Sequence, residues 1–420
     1  MKYILLLIAL IALGNDDPRF TGNPLYDFPD SIIVNKGNGF GHLEGKMTGL
    51  VISGHYLESR LYEDSMGQPP PVYLTLHNKK MADARKLILE EAKKYRILLI
   101  NEAHHRPEHR LFTKSLLPAL KAIGYEVFMA EGIRLKNTLD KKSYPVSTDG
   151  YYLNEPVYGS LIRYAKKLKY EVGAYEFNAK SFWVDSVKLD KYGSIKYISY
   201  QPKDSMILIF DEKGLKTTIL TSVREREQAE NILAMIKKHP KSKIVIHVGY
   251  GHLYEEGAMM GAKLRALLHG EDVLTIDQAQ WTDRVPLIDT ITHTKIPRNF
   301  PFVLQDSITK RYFTYSLPVD YVVINKAMHD SLNRPGYLFE DIEPRKVYHI
   351  PGNLRQDCPC LFTAYYQNEY EKEKQQSIAA DIIYVEDVII SKPLLLNKGK
   401  YVIIKKNAAG KYHQFEYVLK

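Results

Sequence analysis

The chain has 420 residues, 45% hydrophobic and 25% charged, with 58 Lys and Arg against 49 Asp and Glu, a net charge of +9. That composition excludes a disordered or collagen-like chain and supplies a core that needs no disulfide staples. Basic residues are interspersed with acids rather than blocked, which argues against a nucleic-acid partner.

Residues 1–14 begin with Met1-Lys2 and continue as an apolar run that closes on Ala12-Leu13-Gly14. A run of about eleven apolar residues is the length of a signal-peptide core and too short to span a bilayer. We therefore expect a signal peptide, export to a periplasm or the outside, and no stable membrane insertion. Residues 15–80 are rich in Gly, Pro, Asn and Tyr, without a sustained period, and are expected to be irregular up to Gln68-Pro69-Pro70-Pro71.

From 81 to 285, helical and strand-like segments alternate. This predicts an α/β domain with a mainly parallel sheet flanked by helices. Helices are expected over Met81–Lys94, Glu108–Ile123, Ser160–Tyr170, Ser222–His239 and Met259–Leu268. Pro118 should kink or split the second, and Gly124 should end it. Strands are expected over Arg96–Ile100, Glu126–Ala130, Glu171–Tyr175, Ser205–Phe210, Lys243–Val248 and Val273–Ile276. From 286 to 420, runs such as Tyr321–Ile324 and Tyr401–Ile404 lie between turn-rich stretches, and Asn407-Ala408-Ala409-Gly410 reads as a hairpin loop. That region is expected to be small and β-rich. Its Cys358 and Cys360, the two cysteines of the chain, flank Pro359. They are too close for an unstrained bridge and are read as thiols in a loop.

Four of the expected strands end in groups that move protons or hold metals. In a parallel sheet the carboxyl ends share one edge, and ligands bind in the crevice there. The first strand runs into Glu102-Ala103-His104-His105-Arg106-Pro107-Glu108-His109. Pro107 suits the first turn of a helix, which leaves His104 and His105 in the preceding turn. These residue types supply metal ligands, or a base with its orienting carboxylate. Glu131 ends the second strand and, at a partly buried end, needs a partner such as Arg110, Arg134 or Arg224. Glu176 ends the third. The fourth ends in Gly249-Tyr250-Gly251-His252, where two glycines allow close backbone approach and His252 stands over the strand ends. His247, inside that strand, is read as a core histidine. Arg224 and Glu225 are placed in the first turn of the long helix. Gly-x-Ser-x-Gly, Gly-x-x-x-x-Gly-Lys and His-Glu-x-x-His are all missing, so a water nucleophile activated by His and Glu, or by a metal, fits best.

In this order the segments resemble a superfamily that joins erythromycin esterases, ChaN-like haem-binding proteins and TraB/TIKI proteins. Glu102, His104, Pro107 and His109 match the ChaN-like Gly-Glu-x-His-x-x-Pro-x-His, with Asn101 for its glycine. Glu102 and His105 match the esterase Gly-Glu-x-x-His-Gly. Arg224 to Asn231 is similar to the esterase Arg-Asp-x-x-Met-Ala-x-Asn, with Glu225 for Asp and Gln228 for Met. Val248-Gly249-Tyr250-Gly251-His252-Leu253 is close to the TraB/TIKI Val-Gly-x-Gly-His-Leu. Glu131 sits where the esterases and ChaN-like proteins place a strand-end glutamate. The resemblance implies ester hydrolysis, metal-dependent peptide cleavage or haem binding.

The combined expectation is an exported hydrolase acting on an ester or peptide-like bond of a small-molecule or peptide substrate. Glu102 with His105 or His104 would form the base, Glu131 would orient or share the proton, and Arg224 and His252 would stabilise the oxyanion, with Glu225 beside them. A divalent metal held by His104, Glu131 or His252 is a variant. A haem or metal-complex binder with His104 or His109 as ligand is an alternative, and a catalytically silent interaction module is another.

Overall fold

The computed structural model describes residues 23–35, 40–67, 69–177, 183–189, 195–201, 207–211, 214–216, 218–268 and 273–420. The expected signal peptide lies outside them. The fold is mixed α/β, and its contacts divide the chain into two units. One takes residues 68–141 and 164–327, the other 1–67, 142–163 and 328–420.

The unit built on residues 68–141 and 164–327 carries an eight-stranded mixed sheet. Its strands are β1 (Lys79–Asp83), β2 (Ile97–Glu102), β3 (Tyr125–Ala130), β4 (Glu171–Gly173), β5 (Lys243–Gly249), β6 (Val273–Trp281), β7 (Phe302–Asp306) and β8 (Tyr321–Ile324). The spatial order is β1-β7-β8-β6-β2-β5-β3-β4. All pairings from β8 through β4 are parallel, whereas β7 runs antiparallel to both β8 and β1. The helices of this unit that matter below are α1 (Ala84–Ala92), α2 (Pro107–Ala122), α3 (Thr218–Lys238) and α4 (Met260–Leu267). An antiparallel meander of Trp183–Leu189, Ile195–Gln201, Ile207–Asp211 and Gly214–Lys216 intervenes between β4 and α3. The strand expected from Ser205 is met there from Ile207.

Local chemistry moves several expected boundaries. The helix expected from Met81 starts at Ala84, because Asp83 caps it by accepting the Lys86 N–H at 3.0 Å, and residues 81–83 extend β1 instead. α2 is one continuous helix that carries Pro118 within it. The proline forgoes a bond to the Lys114 carbonyl, yet Leu116, Leu117 and Leu120 around it are buried. Gly124, at φ +95°, ends the segment as expected. α3 begins at Thr218 rather than Ser222, so Arg224 and Glu225 lie in its second turn, not its first.

β2 is buried along its whole length, as a strand covered on both faces must be. Alternation then decides which face each strand end serves. Ile97, Leu99, Ile244, Ile246, Val248, Val127 and Met129 pack in one cluster with Ala229, Ile232 and Ile236 of α3. Glu131, two residues beyond Met129, continues that face. Glu102 and His247 belong to the opposite face, where His247 pairs in register with Ile100. The two catalytic candidates thus emerge on opposite sides of one sheet edge.

The other unit has a four-stranded antiparallel sheet, ordered Asp381–Val385, Cys360–Tyr366, Gly399–Asn407, Tyr412–Leu419. Gly410, at φ +72°, turns the expected hairpin. Ahead of residue 67 the segment read as irregular forms helices Pro29–Asn35, Phe40–Ile52 and Tyr56–Ser65. Tyr26 and Ile52 pack with Leu361, Tyr365 and Ile382. A buried Arg334 donates to Asp381 at 2.5 Å, and buried Glu155 accepts the Tyr56 hydroxyl at 2.6 Å. Cys358 and Cys360 are free thiols, the first partly and the second fully buried. Of the region from 286 on, Leu287–Asp289, β7 and β8 fall in the unit of the large sheet. Among the described residues, no helix is long and apolar enough to cross a membrane.

Candidate active site

Glu102 is the last residue of β2 and almost fully buried. Pro107 starts α2, which sets Arg110 one turn in and facing back over the strand end. Its Nε donates to Glu102 Oε2 at 2.6 Å and its Nη2 to Oε1 at 2.8 Å, a two-pronged pair. Arg110 Nη2 also donates to the His104 carbonyl at 2.8 Å, tying down the turn that presents His104. His104 Nδ1 lies 2.9 Å from Glu102 Oε1, and His247 Nε2 lies 2.8 Å from Oε2. Burial works to raise the Glu102 pKa, but Arg110, His247 and His104 outweigh it and hold the carboxyl well below its ordinary range. An ionised Glu102 takes a hydrogen from each imidazole. The His104 tautomer that donates Nδ1–H to Glu102 has Nε2 as its basic nitrogen.

On the opposite face, Glu131 receives the Gly249 N–H on Oε2 and Arg224 Nη2 on Oε1, the latter at 2.5 Å. Burial pushes its pKa upward, yet His252, His104 and Arg224 bring it down to about 2. Arg224 reaches two further groups. Its Nε and Nη2 each donate to Glu176 at 3.0 Å, and its Nη1 lies 3.0 Å from His252 Nε2. Gln228, one turn along α3, donates to Glu176 at 2.8 Å. His252 Nδ1 lies 2.6 Å from Glu225 Oε1. Glu225 in turn accepts the Met260 N–H, at the start of α4, at 2.6 Å. Burial lowers the His252 pKa, but Glu131 and Glu225 outweigh it and raise the pKa above the ordinary 6.5.

The two halves meet at one atom. His104 Nε2 is 3.9 Å from Glu131 Oε1, and His252 Nε2 is 3.7 Å from the same oxygen. Two imidazoles, each steadied by its own buried glutamate, thus converge on one carboxylate and the guanidinium bound to it.

The structure therefore brings together Glu102, His104, Glu131, Arg224, Glu225 and His252. His105 stands apart from the convergence, with Nδ1 3.2 Å from the Tyr250 hydroxyl. His109 lies behind it, fully buried, with Nδ1 accepting the Ala103 N–H at 3.1 Å. Burial, with Arg106 beside it, holds His109 neutral by lowering its pKa well below 6.5. Of the three partners foreseen for Glu131, Arg224 takes it, Arg110 serves Glu102, and Arg134 is exposed.

Arg110, His247, Gln228 and Tyr250 were not among the expected site residues. A signal for His247 existed, since its strand alternation puts it on the face of Glu102. Arg110 follows from the helix start at Pro107. The bonds of Gln228 and Tyr250 depend on distant elements and leave no local trace.

A divalent metal does not fit the foreseen set of His104, Glu131 and His252. Both Glu131 oxygens accept hydrogens, and the Arg224 guanidinium lies against Glu131 and His252 Nε2, which puts positive charge where the ion would sit. Among the described residues, no group of three or more His, Cys, Asp or Glu side chains is arranged to hold a metal ion. Haem ligation fits no better: His109 is enclosed, and the His104 ring is wedged between Gly249 and the Tyr250 ring.

Compared with known proteins, the chain matches no family model and no curated protein. Among solved structures, the type III effector HopBA1 is similar over 59% of this chain and 96% of its own, at 10% identity and a TM-score of 0.30. A likeness that weak fixes neither fold nor function.

Proposed function

We propose that the chain is a hydrolase of ester or peptide-like bonds that uses an imidazole-activated water. The observation that carries this reading is the convergence of two glutamate-steadied imidazoles on Glu131 Oε1, at 3.9 and 3.7 Å. His104 is the base. Ionised Glu102 holds its Nδ1–H and stabilises the imidazolium formed when Nε2 takes a proton from water. Glu131 helps to orient that water. Charge growing on the carbonyl oxygen of the substrate is met by Arg224 and by His252, whose ring Glu225 holds in place. The side chain of Arg224 is 25% exposed and that of His252 16%, so both are reachable from solvent.

The order of the strand-end motifs supports kinship with the erythromycin esterase, ChaN and TraB/TIKI superfamily. The apolar run at 1–14 supports an exported setting and a small-molecule or peptide substrate met there. The test is turnover of a panel of esters and short peptides by the purified chain. His104→Ala and Glu131→Gln are expected to lose about 100-fold or more in kcat, with circular dichroism showing that each variant is folded at the assay temperature. Parent-like turnover in His104→Ala removes the base from the mechanism and overturns it.

A further inference from the structure

We infer that Tyr250 is a further catalytic residue, the acid that hands a proton to the leaving group. The inference rests on the hydrolase reading above. Four observations carry it. Tyr250 holds φ +38° between two glycines, a left-handed conformation that a bulky residue adopts only when its surroundings impose it. What imposes it is visible: Asn101, fully buried, donates to the Tyr250 carbonyl at 2.8 Å. Asn101 is itself clamped, donating to Asp277 at 2.6 Å and accepting the Gln278 N–H at 2.7 Å. The strained turn is thus built from three strands, by the residue that stands where the resembled motif has glycine.

The result of that strain is the placement of a phenol. The Tyr250 ring stands edge-on to the His104 ring, with centroids 5.2 Å apart. Its hydroxyl is 3.2 Å from His105 Nδ1. Both Tyr250 and His105 are only partly buried. A second proton carrier therefore sits beside the base, on a histidine that the convergence at Glu131 leaves out.

The proton balance closes. Water gives one hydrogen to His104 Nε2 as its oxygen bonds to the carbonyl carbon. The tetrahedral centre collapses, the bond to the leaving oxygen or nitrogen breaks, and that atom takes the hydrogen of Tyr250 Oη. The phenolate recovers a proton through His105 from solvent, and His104 releases its own to solvent. The net change is the addition of one water.

Tyr250→Phe tests this, since it keeps the ring and its contact with His104. The readout is kcat on two esters of one acid, with a nitrophenol and with a simple alcohol as leaving group. A nitrophenolate departs without a proton, and an alkoxide does not. We expect about a 100-fold loss on the alkyl ester and a loss at least ten times smaller on the nitrophenyl ester. Asn101→Ala, which frees the turn, is expected to shift the two rates apart in the same sense. Equal losses on both esters in Tyr250→Phe, or none on either, overturn the assignment of Tyr250 while His104→Ala still reports on the hydrolase. A parent chain that turns over neither these esters nor any short peptide sinks both.

Discussion

A Cβ at Gly249 would lie 2.6 Å from His104 Cε1 and 2.7 Å from Glu131 Oε2. Neither neighbour has room to retreat, because Arg110, Glu102 and Arg224 hold them from behind. Gly249→Ala is therefore expected to push the base and the carboxylate apart. It should lose most of its turnover and about 1–3 kcal/mol of stability, read by kinetics and urea melts. A parent-like variant would show that the spacing of these groups is not what sets the rate. Glu225 offers a subtler handle. It helps to raise the His252 pKa above 6.5, so the charged ring persists to higher pH than usual. If that charge stabilises the oxyanion, kcat/KM falls as pH rises through the raised pKa. Glu225→Gln removes one cause of the rise, and the alkaline limb should move to lower pH. An unmoved limb assigns it to another group.

At the scale of elements, β2 and α2 are joined by the buried Arg110–Glu102 pair as much as by apolar packing. Arg110→Leu leaves a buried carboxylate with only imidazoles about it, and a loss of about 3–5 kcal/mol is expected, measured by denaturant unfolding. A loss below about 1 kcal/mol would mean that His104 and His247 compensate. Much of this level was legible in the sequence. The apolar runs ending in Glu102, Glu131, Glu176 and Gly249 marked the strands, and their place as parallel neighbours in one mixed sheet brings those ends to one edge. The boundary at Gly124 was legible, whereas the helix starts at the Asp83 cap and at Thr218 were missed. Pairings such as Asn101 with Asp277 lie 176 positions apart. No local period encodes such a contact, so the strained Tyr250 turn could only be seen folded. The helices before residue 67 escaped notice because they pack against strands beyond 360, and their own sequences carry little amphipathic period.

For the molecule as a whole, buried ionised groups set the pH range of stability. The Glu131 carboxyl falls from its ordinary 4.5 to about 2, and Glu102 moves in the same direction. A depressed carboxyl stabilises the fold fully above its unfolded pKa, and that contribution drains away as pH drops through the folded one. His252 has the opposite sign: its share is complete below 6.5 and is lost as pH rises through its raised value. Melting temperature is thus expected to be highest between pH 4.5 and 6.5 and to fall steeply from 4.5 toward 2. Flat melting across the acid range would show that these carboxylates are not ionised in the fold.

The interleaving of the two units bears on how the chain is made. The Asn23 N–H is received by the Tyr365 hydroxyl at 3.0 Å, across 342 positions. On the ribosome the helices before residue 67 emerge well ahead of the strands beyond 360 that they need. Every residue that the strand-end chemistry uses has left the exit tunnel while those helices still wait for their sheet. A premature stop after residue 327 would thus spare the whole proton-transfer constellation and leave residues 23–67 with only residues 142–163 of their own unit to close upon.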